Sequence, residues 1–443
     1  MASINLNATS ATQGTGIDVT SVVDQILYAE RAPERLWQQQ QAQLSTQATA
    51  LSSLNTSLLT LNDKTNALKD LFGALTAKSV RSSDPSALTA QATSSAISGV
   101  HDIHVTNLAA TSSYYTDPVA DGSTLTNGGF ILKVGSGNDL SVVIDDTRNT
   151  IDSLAAYINT QNLGVRASVI RDATGSRLAL VSLSAGASGD LTISADTSGL
   201  GFHKSVTGIN ASFTVDGVPV SSSINNGIQV LDGVTINLLA GSEGRSTTLT
   251  VTSDLPQAGA ALKSFVSAYN AVISGINNQF TYNSATKSAG PLAGNSSLRS
   301  LQSALLGNVS HSLTGNNGFT TLSSLGVTMN NDGTLSVDDA KLTDAITNHS
   351  DEFKTFFQDP SQGFAINLSA VLSGLADSTR GILSLNLTEN STNQRMLTDL
   401  VNDFEDRLVV RQKQLIAQYS QVDTMLRQFP LLMAQITGQL GSK

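Results

Sequence analysis

Residues 401–436 read VNDFEDRLVVRQKQLIAQYSQVDTMLRQFPLLMAQI. Stepping by three and four gives Val401, Phe404, Leu408, Arg411, Leu415, Gln418, Val422, Met425, Phe429, Leu432 and Ile436. Nine of these eleven are apolar, and the residues between them are mostly polar. An α-helix with this pattern carries one narrow apolar seam with the 3.5-residue period of a left-handed coiled coil. The spacing predicts a long helix from about Met396 to Ile436 whose seam needs a partner helix.

The other end of the chain supplies one. Asp18 is placed to cap a helix carrying Val19, Val22, Val23, Ile26 and Leu27. Pro33 suits the first turn of a second helix. There Trp37, Gln40, Leu44, Gln47, Leu51, Leu54, Leu58, Leu61, Thr65, Leu68, Phe72 and Leu75 repeat the three-four step. Helices at both ends of the chain are expected to pack on each other. The expected intrachain contacts are Leu51, Leu54, Leu58, Leu61 and Leu68 with Phe404, Leu408 and Leu415. In this reading Val401 to Gln418 faces the Leu44–Leu75 helix, with Arg411 and Gln418 marking where that partner ends. Val422 to Ile436 then faces only Val19–Leu27, and Val422, Met425, Leu426, Phe429, Leu432 and Ile436, with Val22, Val23, Ile26 and Leu27, are assigned to coiled-coil, oligomer or filament contact. Pro430 removes one helical hydrogen bond, so residues 431–440 are expected to form a separate, mobile segment. Residues 1–16 are polar and glycine-rich and are expected to be disordered in the free monomer.

Between Ser79 and Thr252 the pattern changes to strand-like runs broken by turn clusters. Phe130–Val134 and Leu140–Ile144 flank a glycine-rich turn. Thr150 caps a short helix over 151–159, and 165–171 and 177–182 read as a second hairpin. This predicts a compact α+β unit over about 130–194. More strands follow at 211–215, with the turn Asp216-Gly217, and at 234–239 and 247–251. Helical faces resume with Leu262, Phe265, Val266, Tyr269, Val272, Ile276 and Phe280. Further helices are expected near 296–312, 341–347, 351–357 and 364–376, with a hairpin around Asn330–Gly333. The fold class is α+β and multidomain: a coiled-coil or helical-bundle stalk built from both termini, with a nested β-rich, two-domain head inserted. The expected divisions are 1–40 with 411–443, 41–79 with 254–410, 80–110 with 205–253, and 111–204.

Composition narrows the function. Charged residues are 14% of the chain, against roughly 25% in ordinary soluble domains. The net charge is −10. Residues 1–79 hold 5 basic and 6 acidic groups, 80–253 hold 8 and 14, and 254–443 hold 12 and 15. No segment is basic, which argues against nucleic acid or an anionic membrane surface as partner. There is no cysteine, so disulfides, thiolate chemistry and the usual zinc ligands are absent. No run of 18 apolar residues exists, so membrane insertion is not expected. The opening MASINLNATS has neither the basic region nor the apolar core of a cleaved secretory signal.

No catalytic constellation emerges. His101 and His104 alternate to opposite faces of a strand. His203 stands where a phosphate loop needs glycine before its lysine. Gly186–Gly189 lacks the strand–helix setting of a nucleophile elbow. Asp145-Asp146 sits between a strand and a helix, as turn residues do. Asn330–Gly333 lacks the spaced carboxylates of a calcium loop. The chain is read as a non-enzyme without cofactors or metals.

Several short motifs occur in one order along the chain. They are Gly14–Val19 with Ala29–Pro33, Val105–Ala109, Gly164–Val169, Thr174–Leu178, Phe213–Gly217, Phe265–Asn270 and Asp332–Ser336. In that order they resemble the flagellar filament cap family, also called flagellar hook-associated protein 2. The resemblance implies an extracellular assembly factor at the distal tip of the flagellum, exported without a cleaved signal peptide. It implies a ring-like homo-oligomer, a pentamer being the expected size, that promotes flagellin polymerisation and prevents leakage of exported flagellin. Implied partners are flagellin, hook–filament junction proteins and a cytosolic export chaperone on the C-terminal helix. Alternatives are another axial flagellar component or a surface adhesin on a coiled-coil stalk.

Overall fold

The computed structural model describes residues 16–239, 242–282, 284 and 287–440. The expectation for residues 1–15 lies outside them. The chain divides into two compact units, residues 70–258 and the segments on either side of them.

The helical unit begins with α1, Val19–Glu30, capped by the Asp18 carboxylate on the Ser21 N–H. Only Arg31 separates it from α2, Ala32–Lys69, which accommodates Pro33 in its first turn. The helix stops at Lys69, short of the expected Leu75. Asp70 accepts the N–H of Phe72, and the Gly73 N–H bonds back to the Asp70 carbonyl, so the backbone turns before the apolar pattern runs out. Phe72 is consequently exposed.

In the β-rich unit come β1 (Lys78–Ser82), β2 (Leu88–Ala92), β3 (Gly99–Asn107), β4 (Thr111–Thr116), β5 (Gly128–Val134) and β6 (Leu140–Ile144). Then α3 (Ile151–Thr160) is closed at its start by a reciprocal Thr150–Ser153 capping box. It precedes β7 (Val165–Asp172), β8 (Gly175–Ala185), β9 (Leu191–Ser194) and β10 (Phe202–Val206). The unit ends with β11 (Ala211–Val215), β12 (Val218–Ser222), β13 (Ile228–Leu231), β14 (Val234–Leu238) and β15 (Ser246–Ser253).

All ladders are antiparallel. A five-stranded sheet, β1-β15-β3-β11-β12, and a three-stranded sheet, β13-β14-β2, share one core. Alternate residues such as Ile103, Val105, Phe213, Leu249 and Val251 meet Leu88, Ile228, Val234, Ile236 and Leu238 in it. Asp216 and Gly217 both have positive φ and join β11 to β12 by the two-residue turn that suits strand twist. A second core lies under the sheets β10-β4-β8-β7 and β6-β5-β9 and against α3. Both hairpins around α3 form as predicted, but this core is wider than 130–194. It also takes in Tyr114, Val119, Leu125, Leu200 and Phe202. Strands β4 and β10 were missed because polar Ser, Thr, His and Lys interrupt their apolar alternation.

The helical unit resumes with α4 (Leu255–Phe280) and α5 (Ser296–Val309). The hairpin β16–β17 (Val327–Met329 and Leu335–Val337) follows. Next are α6 (Asp339–Asn348, capped by Asp338), α7 (Ser350–Gln358) and α8 (Phe364–Leu375). Their core gathers Phe265, Phe353, Phe356, Phe357 and Phe364, with ring centroids 5.1–5.9 Å apart in successive pairs. Gly275 lets α4 close on α2, since a Cβ there would sit 2.8 Å from Leu54 Cδ2. Finally α9 runs from Ile382 to Leu440 as one helix. It passes through Pro430, so the expected break before residues 431–440 is absent. A proline removes one backbone donor and its ring presses on the carbonyl four residues back, a cost that α9 bears here with both flanks exposed.

Asn270 ties α4 to β17. Its Oδ1 accepts the Leu335 N–H at 2.6 Å and its Nδ2 donates to the Leu335 carbonyl at 2.7 Å. Asn270→Ala strips both partners from one half-buried backbone unit. It is expected to lower unfolding stability by about 1–3 kcal/mol, measured by urea denaturation of the full chain. An unchanged midpoint would contradict this role.

Candidate assembly interface

The two ends of the chain zip together in antiparallel order. As positions rise along α1 and α2, their partners on α9 fall. Ile17 N–H bonds Asp423 Oδ1 at 2.9 Å, and Glu30 meets Arg411 at 3.3 Å. Trp37 lies edge-on to Phe404 at 5.5 Å. Gln41 bonds Thr398, and the buried Asn390 donates to the Leu44 carbonyl at 3.0 Å.

This register corrects the predicted one. Val23 and Leu27, expected opposite Val422 to Ile436, are buried against Leu408 and Leu415, with Val19, Ile26, Phe404 and Tyr419 around them. Val22 is also buried. Leu51, Leu54, Leu58, Leu61 and Leu68 are buried too, but not against Phe404, Leu408 and Leu415. That part of α2 is engaged by other helices of its unit. Leu54 meets Gly275, Gln358 bonds the Leu68 carbonyl, and Ser369 bonds both Asn66 and Lys69. The first turns of α2 therefore meet α9 near 390–404, and α1 takes 404–423. Because only Arg31 separates α1 from α2 and both pack along α9, the partner changes at Phe404–Glu405. Arg411 and Gln418 do not mark it.

Arg31 stands at this junction. Its guanidinium clasps both carboxylate oxygens of Glu405, and Nη1 also reaches Glu34 at 2.6 Å. Gln38 satisfies the second oxygen of the buried Glu34. Glu405, and to a lesser degree Glu34, hold the Arg31 charge more firmly, raising its pKa. Reciprocally, the Arg31 hydrogen bond lowers the pKa of Glu405. Arg427, and then the Ile17 N–H, lower that of Asp423. Sequence patterning missed these residues because each reads as an ordinary solvated charge between seam positions.

Beyond Tyr419 no helix among the described residues buries the seam. Val422, Met425, Leu426, Phe429, Leu432 and Ile436 are 39–66% exposed, as are Leu431 and Met433 at 70% and 51%. These are the residues predicted to contact another chain, and the chain's own fold leaves them at the surface. Among the described residues no group of metal-ligating side chains converges, and no helix is long and apolar enough to cross a membrane. His101 pairs with Asp216, and Asp145 closes a turn onto Thr147 and Arg148.

Paired helices that flank, in sequence, an inserted β-rich unit define a multidomain α+β protein with a helical stalk. The family models for the flagellar hook-associated protein 2 C-terminus and N-terminus match residues 208–430 and 15–112, and the flagellin hook IN motif matches 126–184. The chain belongs to the flagellar hook-associated protein 2 family. It is 29% identical over 428 residues to the B-type flagellar hook-associated protein 2 of Pseudomonas aeruginosa, covering 89% of this chain and 87% of that protein. With the flagellar hook-associated protein 2 of Escherichia coli K12 it shares 27% over 465 residues, 96% of each chain. The crystal structure of the flagellar cap protein FliD D1-D2-D3 domains from Escherichia coli superposes with a TM-score of 0.64. That comparison, at 26% identity, covers 77% of this chain and 99% of that one. The role is accordingly structural, at the flagellar filament cap.

Acid should loosen the α1–α9 pairing. Glu405 and Asp423 titrate below their ordinary values of 4.5 and 3.8. Their contribution is complete above pH 4.5 and is lost as the pH falls through the depressed folded values. Fluorescence of Trp37, the single tryptophan, is expected to shift as the pH falls from 4.5 toward about 2. Arg31→Ala should show the acid form of the signal at neutral pH. A wild-type signal flat over this range would contradict the assignment.

Proposed function

We propose that the protein works as a homo-oligomeric cap at the distal tip of the filament, where it promotes flagellin polymerisation and keeps exported flagellin from escaping. The observation that carries this reading is the apolar seam at 422–436, exposed in the single chain and at the end of a helix that belongs to the cap family. A contiguous apolar surface of this kind marks a contact with another chain. On this reading residues 422–436 engage neighbouring copies, flagellin or hook–filament junction proteins, and the ring is a pentamer. The β-rich unit acts as two domains, 80–110 with 205–253 and 111–204, a division supported by its two separate cores. The chain reaches the exterior through the flagellar export route. Deleting the gene is expected to release unpolymerised flagellin into the medium. Normal filaments with no secreted monomer would overturn the reading.

Before export the same seam needs cover in the cytosol, and an export chaperone on the C-terminal helix would supply it. A chain truncated after Val410 is expected to lose the chaperone in a pull-down from the producing cell. Capture at the full-length level would reject this partner assignment and leave the cap reading standing.

A further inference from the structure

An open sheet edge lies beside α3. β7 is the last strand of the order β10-β4-β8-β7. The two-residue turn Ala173-Thr174 makes Asp172 and Gly175 a hydrogen-bonded pair, and such pairs recur at every second residue. Residues 166, 168, 170 and 172 therefore bond to β8. Val165, Ala167, Val169 and Arg171 turn their N–H and C=O groups to the open side, a ready template for another strand.

One of these positions is already filled by a side chain. Asn159 Oδ1 accepts the Ala167 N–H at 2.8 Å, and its Nδ2 donates to the Ala167 carbonyl at 2.9 Å. Those are the two bonds that a residue of a neighbouring strand would make. Ile158, 1% exposed in the core, anchors this end of α3. At the other end Arg171 pairs with Asp152 at 2.6 and 2.7 Å. The strand carries Arg166 and Arg171 but neither proline nor lysine, and between the two arginines Ile170 is 54% exposed.

We propose that Asn159 guards this edge, occupying the position through which β7 would pair with β7 of a second copy. The sequence suits such a pairing. In the antiparallel register centred on Ser168, Ala167 faces Val169, Arg166 faces Ile170 and Val165 faces Arg171, so no like charges oppose. The pair would be two-fold symmetric and self-complementary. The dipeptide Ile158-Asn159 falls within the stretch matched by the flagellin hook IN motif. Its two residues divide the work, one planting the helix and the other closing the sheet.

The test uses the full-length chain. In Asn159→Ala at low protein concentration, amide exchange at Ala167 is expected to speed up about tenfold relative to β8 amides. At higher concentration, sedimentation velocity should show association beyond that of the wild type. Asn159→Ala/Ile170→Lys should abolish the increment, since lysine on an edge opposes pairing. Unchanged exchange, or faster exchange without added association, overturns the proposal. Should Asn159→Ala melt the β-rich unit, Asn159→Asp serves instead. It keeps the acceptor for the Ala167 N–H and sets a carboxylate oxygen against the Ala167 carbonyl. It is expected to associate in the same Ile170→Lys-sensitive way, and a wild-type assembly state would overturn the proposal. The readout is the increment over the wild-type chain, so it stands apart from the size of any cap oligomer.

Discussion

Arg31 reaches from the break between α1 and α2 to Glu405 on α9, while its other bond holds Glu34 within α2. Around this clasp the ends of a 443-residue chain lie side by side. The seam on α9 cannot stay wet without cost, because each large apolar side chain left in water forgoes roughly 1.5–3 kcal/mol of burial. The chain's own helices cover it as far as Tyr419. The remaining turns stay apolar and exposed. What the terminal helices leave uncovered thus becomes the surface available to other chains.

With few charges, the protein secures its backbone by amide side chains. Asn159 bridges the N–H and C=O of Ala167, Asn225 those of Ala109, and Asn270 those of Leu335. Each asparagine offers one acceptor and two donors at a spacing that matches a peptide unit. The bond pair therefore replaces a missing strand or loop partner. Such bonds are neutral and insensitive to salt, unlike surface ion pairs. Two of them hold a helix to a strand and the third joins two loops, all without adding net charge.

Much of this was legible in residue patterns. The three-four step of Leu51, Leu54, Leu58 and Leu61 marked a helix face that is buried. Thr150 and Asp18 marked helix starts that are capped. Asp216-Gly217 marked a turn that requires positive φ. These signals are local, since each depends on a few residues close in sequence. The misses came where local rules compete. The apolar step ran on to Phe72 and Leu75, but Asp70 and Gly73 captured the backbone first. Pro430 reads as a helix stop, yet α9 continues through it.

By itself the sequence determined that long seamed helices flank a β-rich block inserted between them. Periodicity, capping and composition carry that information along the chain. Only the tertiary structure decided which turn of α9 meets which turn of α1 and α2. A seam repeating every 3.5 residues is compatible with several registers that bury similar area. The choice fell to groups far apart in sequence: Arg31 with Glu405, Asn390 with Leu44, and Gly275 giving α4 room against Leu54. The same holds for Asn159, whose role depends on β7 being an edge, a property of strand order and not of any one strand.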